Sequence, residues 1–356
     1  MSLWVDKYRP KSLDSIDYHF NISKRLKSLA SSGDFPHLLV YGPSGAGKKT
    51  RILATLQELY GPGVNRMKID VRTFKTPSNR KIEFNIVSSP YHIEITPSDL
   101  GNNDRIIIQD LLKEIGQTEQ IDFQTGKHRF KIVIINEADS LSRDAQAALR
   151  RTMEKYSTNI RLILISNSTS NIIPPIKSRT LLIRVPLPTV NEIVGVLSKI
   201  AEKEDIRLPS NEDEKSSILA KIAEHSDRNL RKTILSFEAL AMTNDSISSA
   251  CKLVELDWEK VIADLSKQVV KDRSVKNLSQ SRSVLYELLS HCIPAKIILK
   301  ELTFNLLCDP RVTDPMKYDI VDASSLFDER LSLGSKDIFH LEGFLARSMV
   351  IMESKK

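Results

Sequence analysis

Short apolar runs alternate with amphipathic stretches through the first half of the chain, between residues 35 and 185. Several runs are rich in β-branched residues, which is typical of strands buried in a parallel sheet. Helical patterns separate the runs and complete a βαβ series. The pattern therefore predicts an α/β domain, with a parallel sheet flanked by helices. The predicted strands are 37–41, a stretch near 67–71, 130–135, 160–166 and 181–185.

Residues 73–98 contain further strand-like sequence, IEFNIVSSPYHIEIT. Its Ser-Ser-Pro turn signal predicts a hairpin that closes on the edge of the domain. The pattern gives no indication of what this segment contacts.

Helical patterns replace the strands after residue 185, where Pro186-Leu187-Pro188 interrupts regular structure. Apolar residues at helical spacing predict a small lid with helices at 191–202, 212–225 and 230–242. A third, all-α domain is predicted from about residue 254, with polar joints such as 279–283. The expected domains are thus 1–185, 186–250 and 251–356.

The composition of the 356 residues, 41% hydrophobic and 27% charged, allows two or three soluble domains with sizeable cores. The formal net charge of +7 suits a polyanionic partner without identifying one. Cys251, Cys292 and Cys308 form no CxxC pair, which argues against zinc and against a disulfide framework. Because no apolar run reaches membrane-span length and the chain begins MSLWVDKYRP, we expect an intracellular protein.

A glycine-rich motif, GPSGAGKK, follows the first predicted strand and precedes the helical stretch TRILATLQELY. Its glycines allow consecutive backbone N–H groups to face a phosphate, and the helix N-terminus adds a favourable dipole. The amine of Lys48 would reach the β- and γ-phosphates. This order of strand, loop and helix predicts a nucleotide site. The expected binding residues are Pro43, Ser44, Gly45, Ala46, Gly47, Lys48, Lys49 and Thr50.

The position after Lys48 departs from the usual pattern, in which a Ser or Thr hydroxyl binds magnesium. Here it is Lys49, whose ammonium offers no lone pair to a metal. Thr50 cannot replace that hydroxyl, because one helical residue turns the side chain by about 100°. The sequence therefore argues against an ordinary magnesium site.

A second motif, KIVIINEAD, ends an apolar strand in the polar cluster of a Walker B motif. The first acidic position, which orients magnesium, is Asn136, whereas Glu137, which would activate the attacking water, is present. Both departures affect the same metal. They favour a site that binds nucleotide and hydrolyses it poorly or not at all. Ordinary variation at a still active site is the alternative.

Three longer strings resemble the small subunits of eukaryotic replication factor C, which are AAA+ proteins of a clamp loader. WVDKYRP at 4–10 matches the family's N-terminal box, AQAALRRTMEKYS at 145–157 matches the segment after Walker B, and FDERLSLGSKDIFHLEGFLA occupies 327–346. The resemblance covers essentially the whole chain. It implies an AAA+ domain, a helical lid and a helical collar that joins subunits into a heteropentamer.

The resemblance also implies nucleotide-binding roles for residues outside the glycine-rich loop. The bound species would be ATP or ADP. These roles fall on Val5, Tyr8, Arg9 and Pro10 around the adenine and ribose, on Asn167 at the sensor-one position, and on Arg231 at the sensor-two position.

The string PIKSRT at 175–180 resembles the family's Ser-Arg-Cys motif, with Thr180 in place of the cysteine. Arg179 is therefore the candidate arginine finger, which would act in trans on the ATP of a neighbouring subunit. Taken alone, an arginine before a strand would more simply be solvent-facing or salt-bridged.

DNA contact is implied through basic residues at helix N-termini, with no sequence preference. Arg105, in NNDRIIIQDLLKEI, is the leading candidate, and an ordinary surface role is the equal alternative. The implied partners are the other replication factor C subunits, the sliding clamp PCNA and primer-template DNA, in the nucleus.

Two other functions compete with this interpretation. An independent AAA+ motor, such as a branch-migration helicase or an unfoldase, would need an intact metal site, against which Lys49 and Asn136 argue. A subunit shared with a checkpoint or cohesion clamp-loader-like complex would differ only in the large subunit that it joins.

Overall fold

The computed structural model describes residues 2–75, 81–117, 130–209, 211–244, 246–248, 251, 253 and 256–354. The chain divides into two compact units, residues 1–253 and 254–356. The first unit contains a sheet with its helices and a three-helix group, and the second unit is helical. The segment predicted as a lid, 186–250, lies within the first unit.

The first unit alternates helices and strands. Its helices are α1 (Trp4–Lys7), α2 (Phe20–Ser31), α3 (Lys48–Tyr60), α4 (Asp104–Gln117), α5 (Arg143–Lys155), α6 (Pro174–Lys177), α7 (Val190–Lys203), α8 (Glu212–His225) and α9 (Leu230–Thr243). Its strands are β1 (Leu38–Tyr41), β2 (Lys68–Lys75), β3 (Lys81–Ser88), β4 (His92–Ile95), β5 (Lys131–Ile135), β6 (Ile160–Ser166) and β7 (Leu181–Arg184).

Within the described residues, these strands form one sheet in the order β2-β3-β4-β5-β6-β1-β7. The five strands from β4 to β7 in this order pair in parallel, whereas β3 is antiparallel to both of its neighbours. Because β1 is parallel to its neighbours β6 and β7, the loop after β1 begins at the carboxyl edge of the sheet, next to the end of β6 and one strand away from the end of β5. Ligands of open α/β sheets bind at this edge.

The prediction of a hairpin on the domain's edge is wrong in its placement. Strands β3 and β4 do pair through Val87 with Glu94 and Ser88 with Ile93, but β4 lies inside the sheet, where it also pairs with β5. All four residues of β4 are buried. The edge is formed instead by β2, on which Ile69 is 74% exposed. The stretch near 67–71 is therefore an antiparallel edge strand and not a buried parallel one.

The buried strands alternate between the two faces of the sheet, as period-two geometry requires. Leu38 and Val40 of β1 pack with α3, whereas Leu39 packs on the opposite face with α4 and α5. The sheet is therefore the middle of three layers, which explains why its central strands are almost wholly apolar.

Helices α7, α8 and α9 are the three-helix group at the predicted lid, called the lid below, and they form their own core around residues such as Leu219 and Phe237. Their N-termini are set by side-chain caps: Thr189 and Glu192 form a capping box, and Asn211 and Asn229 accept from backbone N–H groups in the first turn. Trp4 of α1 joins this core, with its ring centroid 5.7 Å from that of Phe237.

The second unit consists of helices around a core that includes Phe344 and Leu302. Its helices are α10 (Asp257–Lys271), α11 (Val275–Ser290), α12 (Ala295–Cys308), α13 (Asp314–Leu333) and α14 (Asp337–Ser354). The predicted joint at 279–283 is wrong, because α11 runs through it; Ser281 is buried and its hydroxyl donates to the carbonyl of Asn277 at 2.8 Å. None of the described helices has the length and apolar character of a membrane span.

Candidate nucleotide-binding site

A cavity of about 630 Å³ lies at the carboxyl edge of the sheet in the first unit. The loop between β1 and α3, the N-terminal residues and the helices α7 and α9 surround it. Nearly all the nucleotide-binding residues expected from the sequence line this cavity; Pro43 does not, but its carbonyl accepts from Lys48. They are Val5, Tyr8, Arg9, Pro10, Ser44, Gly45, Ala46, Gly47, Lys48, Lys49, Thr50, Asn167 and Arg231.

Two glycines of the loop have positive φ and lie against other side chains. Gly45, with φ of +74°, approaches Asn229 so closely that a Cβ would lie 1.7 Å from its Oδ1. Gly47, with φ of +83°, leaves no room for a Cβ beside the hydroxyl of Tyr18, 2.1 Å away. Glycine is therefore required at both positions for the backbone angle and for the close approach.

The side chain of Lys48 folds back over the loop. Its Nζ donates to the carbonyls of Gly42 and Pro43, at 2.5 and 2.9 Å, and to Oδ1 of Asn167 at 3.0 Å. Burial lowers the pKa of Lys48 to about 8, with nearby Asp139 opposing the shift and Arg231 adding to it. The predicted phosphate-binding amine and the sensor-one residue are thus in direct contact.

The side chain of Lys49 is paired with Glu94 of β4. The Glu94 side chain is 5% exposed, whereas the Lys49 side chain is 41% exposed and lines the cavity. Asn136, at the end of β5, donates through Nδ2 to the same Glu94 oxygen at 2.7 Å and to the hydroxyl of Thr96 at 3.3 Å. The two unusual residues of the motifs therefore converge on one buried carboxylate.

The fold family implies a magnesium ion at this position, and the residues present do not fit one. An ammonium stands where a hydroxyl would bind the metal, an amide stands where a carboxylate would orient it, and both donate to Glu94. In the described part of the chain, no group of three or more His, Cys, Asp and Glu side chains is arranged to hold a metal.

Glu137 lies at the cavity wall with a left-handed backbone, φ +49°. Its Oε2 accepts from the hydroxyl of Ser98 at 3.0 Å. The carboxylate that would activate water is thus held by a neighbour outside the two motifs.

The N-terminal residues reach the cavity through contacts with the three-helix group. The backbone N–H of Trp4 donates to Oε2 of Glu238 at 3.1 Å, and the Tyr8 hydroxyl donates to Oε1 of Glu204 at 2.5 Å. Lys7 forms an ion pair with the same Glu204 oxygen at 2.7 Å. These contacts place Val5 and Tyr8 opposite the glycine-rich loop.

Arg179 is not among the residues that line this cavity. It follows α6, and its guanidinium forms an ion pair with Glu154 of α5, at 2.6 Å from Nη2 to Oε1. A further bond runs from Nη1 to the carbonyl of Pro175 at 2.8 Å. The side chain, 33% exposed, is held at the surface and away from its own nucleotide site.

Arg105 is the second residue of α4, and its side chain is 53% exposed. Its guanidinium lies 3.8 Å from Oδ2 of the exposed Asp144, a loose surface ion pair. The position at a helix N-terminus agrees with the sequence, and the side chain is accessible to a phosphate.

Glu94, Tyr18 and Asn229 are among the residues of this site that sequence reasoning missed. Each makes its contact across a large separation in the chain, such as the 45 residues between Lys49 and Glu94. The only available signal was the position of Glu94 near the end of an apolar run, where a strand would deliver it to the ligand edge.

Three family models match the chain. They are "DNA polymerase III, delta subunit" at 18–189, "RCF1/5-like, AAA+ ATPase lid domain" at 195–242, and "Replication factor C subunit 3, C-terminal domain" at 258–356. Two solved structures of Thermotoga maritima RuvB match at 16% identity, with TM-scores of 0.50 and 0.51, and each comparison covers 80% of this chain and 88% of the other. This likeness shows the fold alone.

Whole-chain relatives are much closer in sequence. Replication factor C subunit 5 of Saccharomyces cerevisiae is 56% identical, over 99% of this chain and 100% of that protein. Its Neurospora crassa counterpart is 55% identical over 99% and 98%, and replication factor C subunit 3 of Homo sapiens is 46% identical over 99% and 96%. Together with the sheet, the lid and the glycine-rich loop, these matches establish that the chain belongs to the small subunits of replication factor C, a clamp-loader family with the AAA+ fold.

Proposed function

We propose that this chain is a nucleotide-binding subunit of the replication factor C clamp loader that hydrolyses its own nucleotide weakly or not at all. In this proposal it supplies Arg179 to the ATP site of a neighbouring subunit. The observation that carries the proposal is the convergence of Lys49 and Asn136 on Glu94, because this arrangement occupies the metal's surroundings with hydrogen-bond donors.

The chain's own hydrolysis would lack a metal to neutralise the developing charge on the phosphates. In phosphoryl transfer that neutralisation and the positioning of water provide most of the catalysis. Glu137 could still orient water, but it is bonded to Ser98. Nucleotide would then serve as a structural ligand that joins the loop, the N-terminal residues and the lid.

Arg179 is suited to act outside its own subunit. It lies at the surface, and its partner Glu154 is 51% exposed, so the ion pair contributes little and can be exchanged for a phosphate. Its Nη1 also donates to the Pro175 carbonyl, which holds the guanidinium against α6 at the surface. A planar guanidinium is the group of choice for binding a transferring phosphate in trans.

Family membership supports a proposal for the wider assembly. We propose a heteropentamer with other replication factor C subunits, working in the nucleus in DNA replication and repair, which opens PCNA and closes it around primer-template DNA. The working domains are a nucleotide-binding domain at 1–185, a lid at 186–250 and a collar at 251–356. Arg105 is the proposed contact to the DNA backbone, with no sequence preference.

The experiment compares Arg179→Ala with Glu137→Gln in the reconstituted complex, and uses Arg150→Ala as the control. Arg150 faces the same Glu154 at 3.8 Å, so its loss removes one arginine from this surface without removing the candidate finger. Removal of an arginine finger lowers turnover at the served site on the order of 10³-fold. With Arg179→Ala, DNA- and PCNA-stimulated ATP hydrolysis by the complex should therefore fall by the fraction that takes place at the served site. With Glu137→Gln and Arg150→Ala it should change little.

The opposite result would reverse the roles. If Glu137→Gln abolishes turnover while Arg179→Ala has no effect, hydrolysis takes place in this subunit. The competing functions give different assemblies: an independent motor would be active as a homo-oligomer, and a checkpoint or cohesion loader would be recovered with a different large subunit.

A further inference from the structure

The buried Glu94 carboxylate needs a permanent positive partner. It is 5% exposed, and an isolated buried carboxylate would be strongly destabilising. In the described structure that partner is Lys49, directly after the glycine-rich loop, and Asn136 donates a further bond to Glu94 at 2.7 Å. The ion pair with Glu94 thus holds the Lys49 amine against the sheet, and the Lys49 side chain also lines the cavity.

The two substitutions together conserve charge. In the usual site a neutral hydroxyl, one carboxylate and a divalent magnesium ion carry one net positive charge. Lys49 and the neutral Asn136 carry the same net charge at these two positions with no metal, while Glu94 lies beside them as the counter-ion of Lys49. Either change alone would alter the balance by one unit, so the pair is complementary and not simply two losses.

We propose that the Lys49 ammonium, anchored by Glu94, which Asn136 also binds, is the built-in cation of this site and lets the chain bind metal-free nucleoside di- or triphosphate. This inference rests on the proposed function, because it concerns the same nucleotide site. Lys48 and Lys49 contact the phosphate groups from two sides, and Glu94 fixes the second amine. The site recognises the polyphosphate itself and does not require a metal complex.

The alternative interpretation of the Lys49–Glu94 ion pair is that Glu94 keeps the Lys49 amine away from the phosphates. In that case Lys49 would only neutralise Glu94, and its removal together with the Glu94 charge would leave nucleotide binding unchanged. The variant pair Lys49→Met and Lys49→Met/Glu94→Gln separates the two readings. The double variant also guards against misfolding, because it removes the buried carboxylate that the single variant would leave without its cation.

The experiment is photo-crosslinking of azido-ATP and azido-ADP to the reconstituted complex, in which a C-terminal tag makes this subunit separable on a gel. Binding is titrated in EDTA and in magnesium. Loss of one charge-assisted bond to a phosphate weakens binding by roughly 10-fold or more. In EDTA we expect undiminished crosslinking of the native chain, and a loss of that size with Lys49→Met and with Lys49→Met/Glu94→Gln.

The converse variant restores the usual ligand set. Lys49→Thr/Asn136→Asp lowers the local charge by two units, which equals the charge of one magnesium ion. We expect this variant to crosslink weakly in EDTA and to recover in magnesium, whereas Asn136→Asp alone should show no such recovery because Lys49 still occupies the site.

Two results would overturn the inference. One is undiminished crosslinking in EDTA by the folded Lys49→Met/Glu94→Gln variant, and the other is loss of crosslinking by the native chain when the metal is chelated. Lys48→Ala distinguishes these from failure of the proposed function. If that variant crosslinks as the native chain does, this subunit does not bind nucleotide through its glycine-rich loop, and the proposed function itself is refuted.

Discussion

Replacement of Gly45 by alanine tests the contact between the glycine-rich loop and the lid. The new Cβ would lie 1.7 Å from Oδ1 and 2.4 Å from Cγ of Asn229, so the Asn229 side chain must move. That side chain caps α9 by accepting from the N–H of Lys232 at 3.2 Å, and its displacement costs about 1 kcal/mol. The positive φ of +74° costs an alanine about 1 kcal/mol more.

Gly45→Ala should therefore lower the free energy of unfolding of the first unit by about 2 kcal/mol, and Asn229→Ala by about 1 kcal/mol. The double variant should cost about 2 kcal/mol and not 3, because the cap is lost only once. The expected coupling is about 1 kcal/mol.

Urea titration without nucleotide measures these values. The chain has two tryptophans, so a Trp258→Phe background makes the fluorescence report only Trp4, which packs in the lid core. Additive costs in the double variant would refute the reasoning, since they would mean that the loop and Asn229 do not touch in the free protein.

The remaining predictions concern pH and salt. Bound phosphates should raise the pKa of Lys48 above its value of about 8 in the free protein. Nucleotide binding above pH 8 is then accompanied by uptake of a proton. The affinity for nucleotide should therefore be constant below pH 8 and fall above it. Calorimetry in buffers of different ionisation enthalpy measures the uptake, and an affinity that stays flat from pH 7 to 9.5 contradicts it. Arg105→Ala should lower the salt slope of DNA binding by the complex by about 1, measured by anisotropy on unrelated sequences. An unchanged slope and affinity would remove Arg105 from the contact surface.

The parts of this molecule that sequence predicts are those whose chemistry is local. The glycine-rich loop needs a strand before it and a helix after it, and all three lie within 38–60. The helices of the lid carry their own caps, such as Thr189 with Glu192. In these cases the residues that determine the structure are close together in the chain.

Strand β4 shows what sequence could not supply. Its polar residues His92 and Glu94 suggest a strand with a solvated face, yet both are buried. They can be buried because Ser89 bonds Nδ1 of His92 at 2.6 Å and because Lys49 forms an ion pair with Glu94. The second partner comes from a different βα unit, so burial of this strand depends on a contact that the pattern of a single segment does not contain.

Residues 4–8 are hydrogen-bonded to the lid, through the Trp4 backbone N–H to Glu238 and the Tyr8 hydroxyl to Glu204. The phosphate loop instead belongs to the sheet, between β1 and α3. A rotation of the lid would carry Tyr8 away from Lys48 and separate the two walls of the cavity. Exchange of nucleotide would then be controlled by lid opening, and any subunit that holds the lid closed would also set how long the nucleotide stays bound.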